Sequence, residues 1–411
     1  MKKSISFLVL IQALAVLYLI VWSVSPPLEI DLIFRLLALS LAAIWAVIAF
    51  MRRIQLDNIH IWAAVFIVLV VVCAYFETKS FSGIIKQIAL YMLFVEFIIF
   101  GFYSKKNLWH EIDFIIPVVL ILLLYFNINT VKALIEDPTI ARIIVRNEET
   151  ANDYLRQGIG GYALVYTQTL FFPVALMWVM KSFDKNKIKF FIGLAWLVSY
   201  GFLIANAGYS IAIFSTLASV FVLFFYKGKS VVGVVIITMA LFIGAMAAIL
   251  YVAPLREWLL TVFDGTAVAK KINDLVSTSE SGAAEGSIGS RVTAYMASLR
   301  ALLRYPVIGS LWDSGDGGGH SSILDNFVKY GWWGGYIYSK LVFSVPNKYK
   351  KDYKSRFMTS LINAELVVMI FISLLDTLPY QLMCSFMLIV PLLIQDIIKW
   401  TGEKNESSLV G

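Results

Sequence analysis

The sequence predicts an all-α integral membrane protein, a polytopic bundle of about 12 transmembrane helices with two enlarged extracytoplasmic loops. Apolar residues make up 60% of its 411 residues. Charged residues account for only 15%, whereas soluble domains carry about 25%. The mean hydropathy of +0.80 is likewise far above the value that a soluble core requires. These observations favour a chain that crosses a bilayer many times.

About twelve apolar stretches are long enough to cross a bilayer, since a spanning helix needs about 20 residues. Met1-Lys2-Lys3 precedes the first stretch without a clear cleavage site after it, which favours a retained signal anchor. The stretches run over 5–23, 32–51, 59–76, 84–103, 112–127, 162–180, 190–206, 210–226, 230–252, 328–345, 357–375 and 380–398.

The positions of Lys and Arg in the short loops predict the orientation of these helices. One set of loops is rich in cations, as in 52–53, 181–189 and 348–356, whereas the opposite short loops contain only Lys79. Cytoplasmic loops carry the excess of Lys and Arg in membrane proteins. Both termini are therefore predicted to be cytoplasmic.

Two long connections remain on the non-cytoplasmic side, 128–161 and 253–327, within a single polytopic domain that comprises 1–411. The second loop contains a Ser/Gly/Glu-rich stretch, 277–289, that is predicted to be flexible, and a predicted helix over 290–304. The cytoplasmic loops are short, so any chemistry is expected at the outer face. The formal charge of +7 lies in loops between spans, which argues against a nucleic-acid partner.

The second outer loop carries an ordered set of short motifs. It reads Gly289-Ser290-Arg291-x-x-x-Tyr295, then Tyr305-Pro306-x-x-Gly309, then Gly317-Gly318-Gly319-His320-Ser321-Ser322-x-x-Asp325, and ends at Tyr330-Gly331. This order resembles that of the Wzy-type polysaccharide polymerases, which are relatives of the O-antigen ligases. The resemblance extends over 289–331 and the general topology, including the two enlarged outer loops.

The resemblance implies a glycosyltransferase of the bacterial cytoplasmic membrane. Such an enzyme passes an undecaprenyl-pyrophosphate-linked oligosaccharide to another lipid-linked repeat unit at the outer face, without a cofactor or a metal. His320 would activate the acceptor hydroxyl, and arginines would bind the diphosphate. A chain-length regulator and a flippase are the further partners that the resemblance implies.

Arg291 is the diphosphate contact that the residues themselves favour, because its planar guanidinium binds phosphate oxygens bidentately. Ser290 is predicted as a helix N-cap, which would place Arg291 in the first turn, beside free amides that attract an anion. Arg300 and Arg304 would then lie about 180° and about 220° around the helix from Arg291. They are predicted to contact headgroups instead. The alternative is that Arg291 is only an interfacial residue.

His320 is the predicted general base, since His60 and His110 fall at cytoplasmic helix ends. An imidazole can accept a proton at neutral pH. Alternatively, His320 only caps the next helix. Asp325 follows one turn later and could orient the imidazole or hold a sugar hydroxyl. It could equally be a helix-start charge favoured by the helix dipole.

The first outer loop contains the cations Arg142, Arg146 and Arg156. Arg142 and Arg146 are four residues apart and would share one helix face. Arg156 precedes a Gly-rich segment similar to one in the polymerases, so Arg156 or Arg146 is the predicted second diphosphate contact. The acidic residues at 148, 149 and 153 could instead simply neutralise these charges.

Three other functions compete with the polymerase. A metal-dependent glycosyltransferase could use the acidic pair Glu29 and Asp31, or Asp313 and Asp316. An O-antigen ligase would pass the finished glycan to lipid A–core. A lipid-linked glycan flippase would be expected to show an internal repeat and broken helices, neither of which is evident in the sequence.

Overall fold

The computed structural model describes residues 7–53, 58–79, 88–106, 108–137, 140, 143–144, 148–228, 230–264, 267–281, 286–310, 318–352 and 356–401. Over these residues the chain is helical and contains no β-strand, which confirms the all-α prediction.

In the part of the first half that the structure describes, the chain forms nine α-helices and one short 3₁₀ turn. They are α1 (Phe7–Val24), α2 (Pro26–Ile30), α3 (Leu32–Met51), α4 (Asn58–Thr78), α5 (Ile88–Lys106), the 3₁₀ turn (Trp109–Glu111), α6 (Ile115–Glu136), α7 (Glu148–Arg156), α8 (Tyr162–Ser182) and α9 (Lys187–Ala207).

The second half continues with helices of more varied length. They are α10 (Ser210–Phe225), α11 (Val231–Tyr251), α12 (Ala253–Val262), α13 (Ala267–Ser281), α14 (Gly286–Arg304), α15 (Ser322–Asp352), α16 (Arg356–Leu375), α17 (Tyr380–Cys384) and α18 (Val390–Thr401). A π-helical turn, Ser385–Ile389, joins α17 to α18.

Within the described residues, nine helical segments are long and apolar enough to cross a bilayer. This supports the predicted polytopic helical membrane protein. These segments are α1, α3, α4, α6, α8, α9, α11, α16 and the continuous helix from α17 to α18. The other three predicted spans correspond to α5, α10 and α15. The total of about twelve spans and their orientation stay predictions.

The helices group into two compact units. The first contains Met1–Ile67, Lys86–Leu203 and Pro379–Gly411. Its core includes Trp22, Trp45 and Phe171, all almost fully buried. One end of this unit is fixed by Arg52, whose guanidinium donates two hydrogen bonds to the carboxylate of Glu111 at 2.9 and 3.0 Å.

The second unit contains Val68–Ile85 and Ile204–Leu378. Helix α16 lies at its centre, because it packs on α10, α11 and α15 and has its apolar residues buried on all sides. A helix that is apolar all round must be enclosed by other elements or by lipid. The second predicted outer loop and its motifs belong to this unit.

The predicted outer loops contain more helix than their composition indicates. In the second loop, α12, α13 and α14 occupy most of 253–304. Much of 277–289, predicted to be flexible, is therefore helical, since α13 ends at Ser281 and α14 begins at Gly286. In the first loop, α6 continues to Glu136, past the predicted loop start at 128.

Candidate functional site

Helix α14 presents one face to the candidate site. Arg291, Tyr295, Ser298 and Leu302 follow each other at intervals of three or four residues and are buried or half-buried, as expected for residues on one face of a helix. Arg300 and Arg304 are exposed. The predicted separation of Arg291 from the two later arginines is therefore confirmed.

The predicted N-cap of this helix is wrong. Helix α14 begins at Gly286, so Ser290 lies inside it and Arg291 lies beyond its first turn. The free amides of a helix start therefore do not lie beside Arg291. Glycine has a poor helix propensity, which is why Gly286 and Gly289 suggested a later start. Packing of α14 against α13 and α15 overrides that preference.

Arg291 is held by the turn that follows α16. Its Nη1 donates a hydrogen bond to the backbone carbonyl of Leu375 at 2.6 Å. Its Nη2 lies 3.4 Å from Oδ2 of Asp376. The arginine side chain is 29% exposed and that of Asp376 is 14% exposed. These two partners orient the guanidinium, and the arginine side chain as a whole stays partly exposed.

Tyr295, one turn further along α14, reinforces the same contact. Its hydroxyl donates a hydrogen bond to the carbonyl of Leu375 at 2.9 Å. Burial raises the pKa of Tyr295, an effect that the positive charge of Arg291 partly offsets. A raised tyrosine pKa keeps the phenol protonated through neutral pH, so this bond weakens only in strongly alkaline solution.

His320 lies in a segment that is bound to the same turn. The hydroxyl of Thr377 donates to the carbonyl of Gly319 at 3.1 Å. The amide of Ser322 donates to the carbonyl of Asp376 at 3.2 Å, and the hydroxyl of Ser322 accepts from the amide of Leu378. The half-buried His320 sits between these two attachment points. Residues 375–378 therefore hold both Arg291 and the segment that carries His320.

Asp325 takes part in the start of α15. Its Oδ1 accepts from the hydroxyl of Ser298 at 3.0 Å and its Oδ2 accepts from the amide of Ser321 at 3.0 Å. The hydroxyl of Ser321 in turn accepts from the amide of Leu324 at 3.2 Å, as an N-cap does. The carboxylate thus joins α14 to the start of α15, and its role in substrate binding stays a prediction.

Gly318 is tied to α14 by the same serine. Its amide donates to the hydroxyl of Ser298 at 2.8 Å. A Cβ at Gly318 would overlap the backbone of Ala294, so only glycine permits this close approach. The contact fixes the segment just before His320 against the helix that carries Arg291.

A break in α15 connects two of the sequence motifs. Gly331 has φ 67° and interrupts the helix. In an unbroken helix the amide of Trp332 would donate to the carbonyl of Val328. Here Trp332 donates to the carbonyl of Pro306 at 2.9 Å, and Val328 accepts from the amide of Ser310 at 2.8 Å. The Pro306-x-x-Gly309 segment therefore fills the break at Tyr330-Gly331.

A cavity of about 440 Å³ opens beside this cluster. Its lining residues Tyr295, Ser321 and Leu375 also belong to the hydrogen-bonded network. The rest of its wall is almost entirely apolar and is formed by Thr238, Met239, Phe242, Leu302, Ile323, Leu324, Phe327, Trp332, Phe371 and Leu374. A charged site next to an apolar cavity suits a ligand with one polar and one hydrocarbon part.

The arginines of the first outer loop are only partly described. Arg142 and Arg146, two of the predicted substrate-binding arginines, lie outside the described residues. Arg156 is the exposed last residue of α7, and its Nη2 lies 4.0 Å from Oδ1 of Asp31. The guanidinium of Arg156 is therefore close to a carboxylate of the first short predicted outer loop. Asp313 and Asp316 also lie outside the described residues.

Sequence reasoning missed Asp376 and Ser298 as parts of this cluster, and it named Tyr295 only as part of the motif that contains Arg291. Asp376 is the first residue of a short connection after a predicted span. The acidic side chain at that position is the signal that could have identified it as part of the site. Tyr295 is four residues after Arg291 and could have been assigned to its helix face. Ser298 carries no comparable signal, because a serine in a helix is common.

Comparison with known proteins gives no assignment. No protein-family model matches the chain, and no curated protein matches it.

Proposed function

We propose that the chain is a polysaccharide polymerase, a glycosyltransferase that passes a polyprenyl-diphosphate-linked glycan to another lipid-linked repeat unit. The observation that carries this proposal is the convergence of Arg291 and the His320 segment on residues 375–378, beside an apolar cavity. A cation for a diphosphate, a base for a hydroxyl and an apolar space for a lipid are the three features that such a transfer requires.

In the proposed reaction His320 accepts the proton of the acceptor hydroxyl. The hydroxyl oxygen attacks the anomeric carbon of the donor sugar and forms the new glycosidic bond. The bond from that carbon to the diphosphate oxygen breaks, and the diphosphate leaves with the electron pair. Arg291 stabilises the departing charge. A charge-assisted hydrogen bond of this kind contributes about 1.5–3 kcal/mol.

The contacts of Arg291 are compatible with this role. A guanidinium has five N–H donors. The contacts with Leu375 and Asp376 orient it, and the Arg291 side chain is partly exposed. Asp376 therefore acts as a positioning residue that holds Arg291 when no anion is bound. A bound diphosphate would either displace Asp376 from the guanidinium of Arg291 or accept hydrogen bonds from the same guanidinium beside Asp376.

The proposal places this cluster at the outer face of the bacterial cytoplasmic membrane, with both termini in the cytoplasm. The positions of Lys and Arg in the short loops support that orientation. The proposed partners are undecaprenyl-pyrophosphate-linked oligosaccharide and the lipid bilayer, with a flippase and a chain-length regulator in the same process. The proposed step uses no metal or cofactor.

The glycan profile of a deletion strain tests the proposal against its rivals. A polymerase deletion is expected to leave one repeat unit attached to the final acceptor. Complete loss of the attached glycan would indicate a ligase instead. Accumulation of the lipid-linked unit at the cytoplasmic face would indicate a flippase. Either of these two results would overturn the proposed polymerase.

The cavity is the proposed site for the first isoprene units of the lipid. Met239→Trp places a larger side chain in the cavity wall, and we expect it to weaken binding of geranylgeranyl diphosphate roughly tenfold. Binding of inorganic pyrophosphate should be unchanged. Competition for a radiolabelled prenyl diphosphate in detergent measures both.

Ile243→Trp is the matched control, because Ile243 lies one turn later on α11, is exposed and does not line the cavity. It should bind both probes as the unsubstituted protein does. Equal effects of the two substitutions would show that the lipid chain lies elsewhere.

A further inference from the structure

Helix α14 has a second face whose function the candidate site does not explain. Val292, Met296, Leu299 and Leu303 follow each other at intervals of four, three and four residues and form one exposed apolar stripe. Their exposed fractions run from 42% for Leu299 to 73% for Leu303. At 100° per residue, the centre of this stripe lies about 100° around the helix from the face that carries Arg291.

The apolar stripe continues beyond the end of α14. Val307 and Ile308 follow it and are exposed, as are Trp332 and Trp333 at the break in α15. The hydrogen bond from the amide of Trp332 to the carbonyl of Pro306 joins these two segments. Several large apolar side chains are therefore exposed on α14 and on the two segments that this hydrogen bond joins. A group of exposed apolar residues calls for an explanation, whereas single ones are normal.

The next sector of α14 is polar and cationic. Thr293, Ala297, Arg300 and Arg304 are all exposed and lie on the far side of the apolar stripe from the site. The guanidinium of Arg304 lies 5.2 Å from the ring centre of Tyr305. Going around the helix, the order is therefore site face, apolar stripe and cationic sector.

We infer that α14 lies along the surface of the bilayer, with its apolar stripe in the outer part of the hydrocarbon and Arg300 and Arg304 at anionic lipid headgroups. An apolar stripe with a cationic border is the pattern of helices that lie in a membrane interface. Arginines place their stems on apolar surface and their charges at phosphates. Exposed tryptophans are enriched at the same depth.

The cationic border suits anionic lipid headgroups, and lipid is therefore the proposed occupant of this face. The spans of this unit already require surrounding lipid, and the apolar surface of α14 would extend that contact. This inference does not depend on the proposed glycosyl transfer. If both hold, the interfacial helix keeps Arg291 at the depth of lipid headgroups, where the diphosphate of a lipid-linked substrate lies.

The inference can be tested with single cysteines labelled with the fluorophore NBD in proteoliposomes of phosphatidylcholine and phosphatidylglycerol. Cysteines at 299 and 303 probe the apolar stripe, and cysteines at 293 and 297 are matched controls in the cationic sector. Cys73 and Cys384 are 1% and 0% exposed, so they give little background labelling.

We expect brominated lipids to quench the labels at 299 and 303 on the order of threefold more than those at 293 and 297. Aqueous iodide should show the opposite preference. Equal iodide quenching at all four positions would overturn the inference, because the stripe would then face water. Protection of 299 and 303 from both quenchers would also overturn it, since a protein would then cover the stripe.

The arginines provide an independent arm of the test. Raising the phosphatidylglycerol content is expected to increase quenching at 299 by brominated lipid. The combined substitution Arg300→Gln and Arg304→Gln should remove that dependence, whereas Arg300→Lys with Arg304→Lys should retain it because the charge is kept. If quenching at 299 still rose with phosphatidylglycerol content after Arg300→Gln and Arg304→Gln, these arginines would not bind headgroups.

Discussion

Arg291→Ala and His320→Ala are each expected to abolish glycan chains longer than one repeat unit while the protein still inserts in the membrane. Loss of the arginine removes about 1.5–3 kcal/mol from stabilisation of the leaving diphosphate, which is roughly a 10–150-fold loss of rate. Loss of a general base costs roughly 10²–10⁴-fold. Chain-length ladders from a complemented deletion strain measure both.

Arg300→Ala is the control for the arginine, because Arg300 lies on the same helix and is exposed on another face. It should leave long chains in place. An equal loss from Arg300→Ala would contradict the division of α14 into faces. Wild-type ladders from Arg291→Ala or His320→Ala would contradict the proposed site itself.

Gly331→Ala is expected to destabilise the second unit by roughly 3–4 kcal/mol. Gly331 has φ 67° and ψ −171°, a backbone region that essentially only glycine occupies, and another residue there costs at least about 1–2 kcal/mol. The added Cβ would also overlap the carbonyl of Val307, separating the 306–310 segment from α15. The two hydrogen bonds that fill the break would then be lost, at about 1 kcal/mol each. Thermal unfolding in detergent measures the effect.

Gly244→Ala provides the matched control on α11. A Cβ there would meet no atom within 4 Å, and alanine favours a helix over glycine by about 0.5–1 kcal/mol. This substitution should therefore leave the unfolding temperature unchanged or raise it. Similar behaviour of Gly331→Ala and Gly244→Ala would show that the break in α15 does not depend on the conformation of Gly331.

The apolar stretches of the sequence located the long helices well, because a spanning helix must be apolar over its whole length. The fold of 253–327 was much harder to predict. Glycines and serines there suggested flexibility. However, α13 and α14 are stabilised by packing on neighbouring helices, and the helix propensities of single residues do not include that packing. The wrong N-cap at Ser290 has the same cause.

Part of the candidate site could be identified from residue types. His320 attracted attention because the other two histidines fall at predicted cytoplasmic helix ends, and Arg291 because of its place in the ordered motifs. Both lie at the cluster. Asp376 and the pairing of Pro306-x-x-Gly309 with Gly331 depend on contacts between distant parts of the chain. Such contacts follow from the packing of α14, α15 and α16, which one sequence does not reveal.

The most direct test of the central claim is transfer by the purified protein in liposomes that contain a synthetic polyprenyl-diphosphate-linked repeat unit. We expect glycans of two or more repeats with release of one lipid diphosphate for each bond formed. The reaction should continue in EDTA and should require both Arg291 and His320. Movement of the lipid-linked unit across the bilayer without a new glycosidic bond would contradict the claim.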